Sequence, residues 1–558
     1  MPAFELTRET NMRVNWLAAA LILTAAGWTL PAQSQDIRGT DHRDHAMSAP
    51  PTAAPGHDPA HSHDDMVAPK VPTLLTGYGK GGFTITTAVP QAQAFFSNGL
   101  ELGAAFAHKA SIEAMTEAVR LDPACAMCLW GEALVSGPTI NYGKEPDERK
   151  PLLNLALSAQ KMAKANGTQR ERDLTNALVL RYRPGGKPLD HDRAYAEAMG
   201  RISAADPSDN EIAVLAADAL MVASFGEGRD DFDHKRMEQA VSLIESVLHR
   251  DPDHTPAIHF YIHAEEAFDH PEKAEPYADR LASLAPNASH LVHMPSHTFY
   301  WMGRYQDAAD TNWRAVEIGK ANAKRLGLEG PMGVWDLPYH PHNVIFGLGG
   351  ALMAGDSRMA LNLARPLVER SSQDEKASPV GQLLAASGFF ALARFDDPAA
   401  VLALAEPKLP YLKAARHYAR GEALIWLRDT AGAGAELAAI PEKIAEKIDD
   451  KSRAAEQMLG ITRKVLEGRI AMIEGRFGDA AKAFSAAADI EETRDFRYFS
   501  DPPAFWYPVR RDVAAALLVK GDPAGARVAA TASLKLRPRD PVAIGLLEQA
   551  EAAIRPIR

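Results

Sequence analysis

From Ala88 almost to the end of the chain, apolar residues recur at helical rather than alternating spacing. Alanine and leucine dominate there, and runs of β-branched residues are few. That pattern predicts a nearly all-helical chain, because a half-buried strand needs a period of two. The helices are punctuated by a recurring turn. "GRYQDA" at 303–308, "EGRFGDA" at 474–480 and "KGDPAGA" at 520–526 each stand between two helical stretches, as the turn of a helical hairpin does. Prolines close the second helix of successive hairpins at Pro123, Pro207, Pro252, Pro286 and Pro538. A residue without an N–H cannot continue the helical ladder. Pro252 and Pro286 lie 34 residues apart.

A 34-residue helix–turn–helix unit with a small residue after the turn and a closing proline resembles the tetratricopeptide repeat. Gly303, Tyr305, Ala308 and Ala315 fit one unit, Gly99, Ala118 and Pro123 another, and Gly475, Ala480 and Ala487 a third. The resemblance covers most of residues 91–555, with drifted or enlarged units near 140–200 and 320–340. It implies an all-α right-handed solenoid of helical hairpins whose first helices line a concave surface. The wording from "LDPACAMCLWGEAL" through "FYIHAEEA" to "HLVHMPSH" also resembles a set of exported bacterial repeat proteins. That likeness speaks to fold and leaves the chemistry open.

The start of the chain breaks the pattern. "MRVNWLAAALILTAAGWTLPAQSQD" has Arg13, an apolar run from Leu17 to Leu30 and small residues around Ala32 and Ser34. The run is short for a membrane span and is followed by residues that suit a peptidase, so 1–35 is read as a secretory signal. Met12 stands where such a leader begins, which leaves Met1 and Met12 as alternative starts. Residues 36–88 are expected to be a disordered His/Pro-rich linker, being rich in Pro, Ala, Asp and His without an apolar period. Its histidines, with Met47 and Met66, suit either loose metal recruitment or a merely solvated tether. The repeats then fall into an array over 89–330 and a second over 331–558. The expected location is periplasmic or secreted, with no membrane span once the signal is removed.

Composition narrows the partners. Among 558 residues, 46% hydrophobic and 24% charged is ordinary for a globular chain, and a net charge of -11 argues against nucleic acid.

The histidines carry the candidate chemistry. "HLVHMPSH" at 290–297 places three in eight residues. With repeat units starting at Thr255 and Ser289, His259 and His293 are fifth in their units and His263 and His297 ninth. Within each first helix the pair is spaced i, i+4 and shares one face. Adjacent helices pack about 8–10 Å apart, and a histidine reaches roughly 6 Å from its Cα. The two pairs are therefore expected to close on one ion, at about 2.0–2.1 Å per nitrogen for zinc. His290 is a possible fifth ligand, and "VWDLPYHPHN" adds His340 and His342. Repeat duplication alone also copies residues in register, and a groove histidine also serves as a polar contact for peptide. His108, His191, His234, His249, His254, His270 and His417 lack such partners and are read as surface or core.

All-imidazole donor sets suit copper, zinc, iron or nickel. The His/Met-rich linker and the exported location favour copper, with zinc and iron open. Glu266 is a candidate ligand, orienting group or catalytic general base. "HFYIH" is not the zinc-protease motif, since Phe260 stands where its glutamate belongs. Cys125 and Cys128 are the two cysteines, and Leu129 stands where haem attachment needs histidine. A local disulfide or two packed thiols is the expectation, with a reactive pair as the alternative. Tyr300 extends the histidine stripe. Trp506 and Arg510, in "RDFRYFSDPPAFWYPVRRD", are candidate ligand contacts, or Trp506 and Tyr507 pack as the start of a helix. Three functions stay open: a metal-binding or metal-handling protein, with copper the favoured metal; a metal-dependent oxidase or oxygenase acting on a small organic substrate; and a metal-free scaffold whose groove takes peptide segments.

Overall fold

The structure is a computed structural model that describes residues 72–225, 232–328, 333–450 and 452–555. The expected signal at 1–35 and the linker up to residue 71 lie outside the described residues. The chain forms two compact units that divide between Phe299 and Tyr300. The expected boundary at 330/331 is corrected for a simple reason. The long helix Tyr305–Arg325 packs directly against the helix His340–Ala354, so the segment between them is an internal connection.

The first unit runs through α1 (Pro90–Ala104), α2 (His108–Leu121), α3 (Ala126–Val135), α4 (Pro146–Asn166), α5 (Gln169–Tyr182) and α6 (Pro188–Ala205). It continues through α7 (Asn210–Ser224), α8 (His234–Arg250), α9 (Thr255–Ala267), α10 (Pro271–Leu284), α11 (Ser289–His293) and α12 (Pro295–Trp301), the last of which crosses into the second unit. Each turn read from the sequence joins two helices, and each closing proline follows a helix end, as Pro252 follows Arg250 and Pro286 follows Leu284. Helices start where side chains satisfy their first N–H groups. Asp209 caps α7 and Asp233 caps α8, while Thr168 and Glu171 form a capping box on α5. Helices pack on their sequence neighbours and in several cases on the next but one, the arrangement of stacked hairpins. The fold is all-α and tetratricopeptide-like, with no β-ladder among the described residues. None of the described helices is long and apolar enough to cross a membrane.

Residues 72–88, expected as the end of a disordered linker, instead form an extended strap across the first unit. Leu75 N–H donates to the Asn98 side chain at 2.9 Å, and Asn98 Nδ2 donates back to the Leu75 carbonyl at 2.7 Å. The Gly77 carbonyl accepts from Asn287 N–H at 2.8 Å, and Lys80 N–H donates to Thr255 Oγ1 at 2.7 Å. Tyr78, Phe83 and Ile85 are buried. A backbone whose donors are satisfied by side chains needs no apolar period, so periodicity alone could not reveal it. The strap pins Thr255 and Asn287, the approaches to α9 and α11.

Gly79 makes that pinning possible. Its φ is +108°, and a Cβ there would lie 2.4 Å from Thr255 Oγ1. Gly79→Ala is therefore expected to destabilise the first unit by about 2 kcal/mol, combining a strained conformation with a clash. A urea midpoint equal to that of the unaltered protein would sink this account of the strap.

Candidate metal centre

The site is built on three short stretches of helix. His254 Nδ1 accepts from Ala257 N–H and Pro256 occupies the first turn, which starts α9 cleanly and sets His259 and His263 one turn apart on one face. Pro295 lacks the N–H that a continuous helix would need, so the segment splits into α11 and α12. The path stays helical through the break, because Met294 keeps φ -51° and ψ -39°. His293 and His297 therefore remain one turn apart.

Five imidazoles meet. His259 Nε2 lies 3.0 Å from His290 Nε2, and His293 Nε2 lies 2.9 Å from His297 Nε2. One nitrogen each from His259, His263 and His290 falls within a 4.8 Å group. Ring centroids of His263 and His297 are 5.8 Å apart, and those of His290 and His293 5.7 Å, so the two sets are contiguous. His259, His290, His293 and His297 are buried, and His263 is partly exposed. The expected grouping of two repeat pairs around one ion is corrected. His290 is a full member opposite His259, while His293 and His297 pair with each other. His263 and His297, equivalent in the repeat register, remain neighbours.

Hydrogen bonds outside the cluster orient its nitrogens. His259 Nδ1–H donates to the Ala104 carbonyl at 2.8 Å, and His297 Nδ1–H donates to Glu266 Oε2 at 2.7 Å. A carbonyl and a carboxylate only accept, so each neutral ring keeps its Nε2 lone pair for the interior of the site. A carboxylate or carbonyl behind an imidazole is the usual support of a metal ligand. Burial pushes His259 down to about 3; the Ala104 bond opposes this, and His297 and His108 add to it. The neutral ring is the form that binds metal.

Donor spacing fits an ion. Two nitrogens bound at about 2.0–2.1 Å in a tetrahedron stand roughly 3.4 Å apart. The two close pairs are slightly tighter than this, and the His263 nitrogen lies within 4.8 Å of its two partners.

Phe106 closes one side, and nothing in the sequence singled it out. Its ring stacks on His290 at 4.8 Å with planes 17° apart and stands edge-on to His259 at 4.6 Å. It also stacks on His108 at 5.2 Å, which brings His108 to the edge of the site rather than leaving it a separate surface or core residue. Burial, with Lys144 adding, holds His108 down to about 4. Phe106 takes a left-handed φ of 54° at the end of α1, where glycine is the usual occupant. A bulky residue there is strained, and such strain concentrates at functional sites.

The remaining candidates sit as follows. Cys125 and Cys128 form a disulfide at the start of α3. His340 and His342 belong to the second unit. His340 is buried edge-on to Trp335 at 4.9 Å and held down to about 4 by burial, and His342 Nε2 lies 3.7 Å from Asp501 Oδ1. Tyr300 is buried against Tyr305 and Phe346 in the second unit, with its hydroxyl pKa raised by burial. Trp506 is buried in the wall of a cavity. Arg510 is committed to ion pairs with Glu492 and Asp489 at 2.6 and 2.8 Å.

No family model matches this chain, and no curated protein does. Among solved structures, the Cut9–Hcn1 hetero-tetramer of the APC/C is similar at 13% identity and a TM-score of 0.29, over 82% of this chain and 76% of that one. Yeast Tom70 is similar at 12% identity and 0.28, over 83% and 88%. The P58(IPK) TPR domain is similar at 11% and 0.22, over 83% and 98%. At these scores the helical-hairpin assignment stands on the hairpins described above.

The strain at Phe106 has a measurable sign. Phe106→Ala is expected to cost about 3–5 kcal/mol, the range for emptying a buried aromatic position. Phe106→Gly is expected to be more stable than the alanine variant by about 1 kcal/mol, the reverse of the usual order, because glycine relieves the left-handed conformation. Denaturant unfolding that ranks alanine above glycine would refute the strained reading.

Proposed function

We propose that this chain is an exported helical-repeat protein that binds or handles a transition metal, copper favoured, through His259, His263 and His290, with His293 and His297 as an adjoining pair. The observation that carries this reading is the His259–His290 contact of 3.0 Å, with the His259 lone pair aimed inward by the Ala104 carbonyl. Neutral buried imidazoles suit copper, zinc and iron alike. The His/Met-rich stretch and apolar leader of the sequence favour copper and an exported location. Glu266 serves as an orienting group for His297.

A metal-dependent oxidase or oxygenase is the second reading. It is favoured by a cavity of about 90 Å³ that Phe106, His108 and Phe260 line within the same unit. A substrate held there would lie across Phe106 from the imidazoles. Protein partners remain a third reading, since helical-hairpin repeats present extended surfaces to peptide segments.

Metal analysis of protein purified after export tests the proposal. The unaltered chain is expected to carry stoichiometric metal, and His259→Ala with His290→Ala to lose it. Glu266→Ala is expected to weaken binding by about 10–100-fold, as loss of a supporting partner does. Metal-free wild-type protein after copper supplementation, or metal retained by the double variant, overturns the assignment.

A further inference from the structure

The second unit holds a cavity of about 240 Å³ that the metal reading does not use. Phe390, Tyr418, Phe484, Trp506 and Tyr507 form much of its wall. Two arginines near it are neutralised. Arg469 Nη1 lies 3.0 Å from Asp512 Oδ1 and its Nε 3.5 Å from Glu422 Oε1, while Arg511 pairs with Asp540 at 3.2 Å. Tyr507 ties this network together, accepting from Arg469 Nη2 at 3.0 Å and donating to Asp512 Oδ2 at 2.6 Å.

Arg394 is different. It lines the same cavity, yet no carboxylate among the described residues lies within ion-pairing distance of it. Its guanidinium sits 4.6 Å from the Trp506 ring centre and 5.0 Å from that of Phe395, and its Nε is sealed from solvent without a hydrogen bond. Burial, with Arg511 nearby, pushes it down to about 9, so it stays charged at neutral pH. A half-buried cation against aromatic walls favours a counter-charge. Aromatic stacking offsets only part of that demand.

We infer that this cavity binds a small aryl carboxylate, its ring against the aromatic wall and its carboxylate on Arg394. A planar guanidinium matches a carboxylate with two parallel hydrogen bonds, and the match is strongest away from water. Glu422 and Asp512 on the same cavity disfavour a second negative charge, which selects a monoanion over a phosphate or a dicarboxylate. The volume suits a ligand of one or two rings and excludes a folded partner. The site is independent of the histidines, so metal-stripped protein is expected to bind as well.

Naphthoate and its neutral isostere naphthamide provide the test, titrated into the full chain by calorimetry and tryptophan fluorescence. Naphthoate is expected to bind at a single site about tenfold or more tighter than naphthamide. Arg394→Gln is expected to abolish that difference by weakening naphthoate alone. Equal affinity for the two probes in the unaltered protein, or binding of neither, overturns the inference without any variant having to fold. A preference for naphthoate that survives in folded Arg394→Gln protein overturns it equally.

Discussion

One hydrogen bond organises the histidine site: His259 Nδ1–H to the Ala104 carbonyl, between residues 155 apart in sequence. The carbonyl can only accept, so the proton of neutral His259 must sit on Nδ1 and the lone pair on Nε2. His290, 3.0 Å away, must then bring the proton to their shared contact. The same logic runs from Glu266 through His297 to His293. Each close pair thus shares one proton at the place where a metal ion would stand. An ion bound there would require His290 and His293 to carry their protons on Nδ1 instead, while the outer bonds of His259 and His297 stay as they are, so half of the donor set is oriented beforehand.

What keeps Ala104 opposite His259 is the first unit as a whole. The strap links α1 to Thr255 and Asn287, which precede the histidine-bearing stretches. Phe106, just beyond Ala104, wedges its ring between His108 and His290 at the cost of a left-handed backbone. Pro295 breaks the helix where the imidazoles crowd yet holds the one-turn spacing of His293 and His297. Helical ligands on a braced scaffold are positioned more firmly than ligands on a free loop. A strained residue and a proline break at the same spot agree with the view that local rules yield where a site is being built.

The helical hairpins were legible because their signals are local. A proline ends a helix whatever surrounds it, and a small residue after a turn allows close packing in any repeat. The histidines were legible as a group for the same reason, their i, i+4 spacing being a property of the helix alone. Their pairing was not, because a 34-residue register does not show that His290 turns onto His259 while His293 turns onto His297. Ala104 contributes only a backbone carbonyl, which no side-chain pattern marks. Phe106 occupies a position where the sequence, lacking glycine, hides the end of α1. The strap carries no period because side chains satisfy its backbone. Trp506 stood out as an aromatic, but Arg394 beneath it lies more than a hundred residues earlier, and that juxtaposition belongs to the fold.

Imidazole and guanidinium also place different demands on a buried site. A histidine can surrender its charge, and His259, pushed down to about 3, sits neutral and hydrogen-bonded in the interior. His259 and His297 are hydrogen-bonded with or without an ion, so an ion would have to compete with the proton-sharing contacts they make. An arginine keeps its charge: Arg394 is depressed only to about 9 and remains a cation at neutral pH. Half-burying it without a directly paired carboxylate leaves part of the desolvation cost unmet, although Asp540 offsets some of it from a distance. Arg469 and Arg511, a short distance along the same network, each hold an acid partner. The protein therefore supplies counter-charges to its neighbours and withholds one from the arginine that faces an aromatic cavity. An anion entering that cavity would meet a cation partly shielded from water by aromatic rings and held in place by the fold, a condition that strengthens a single charge pair.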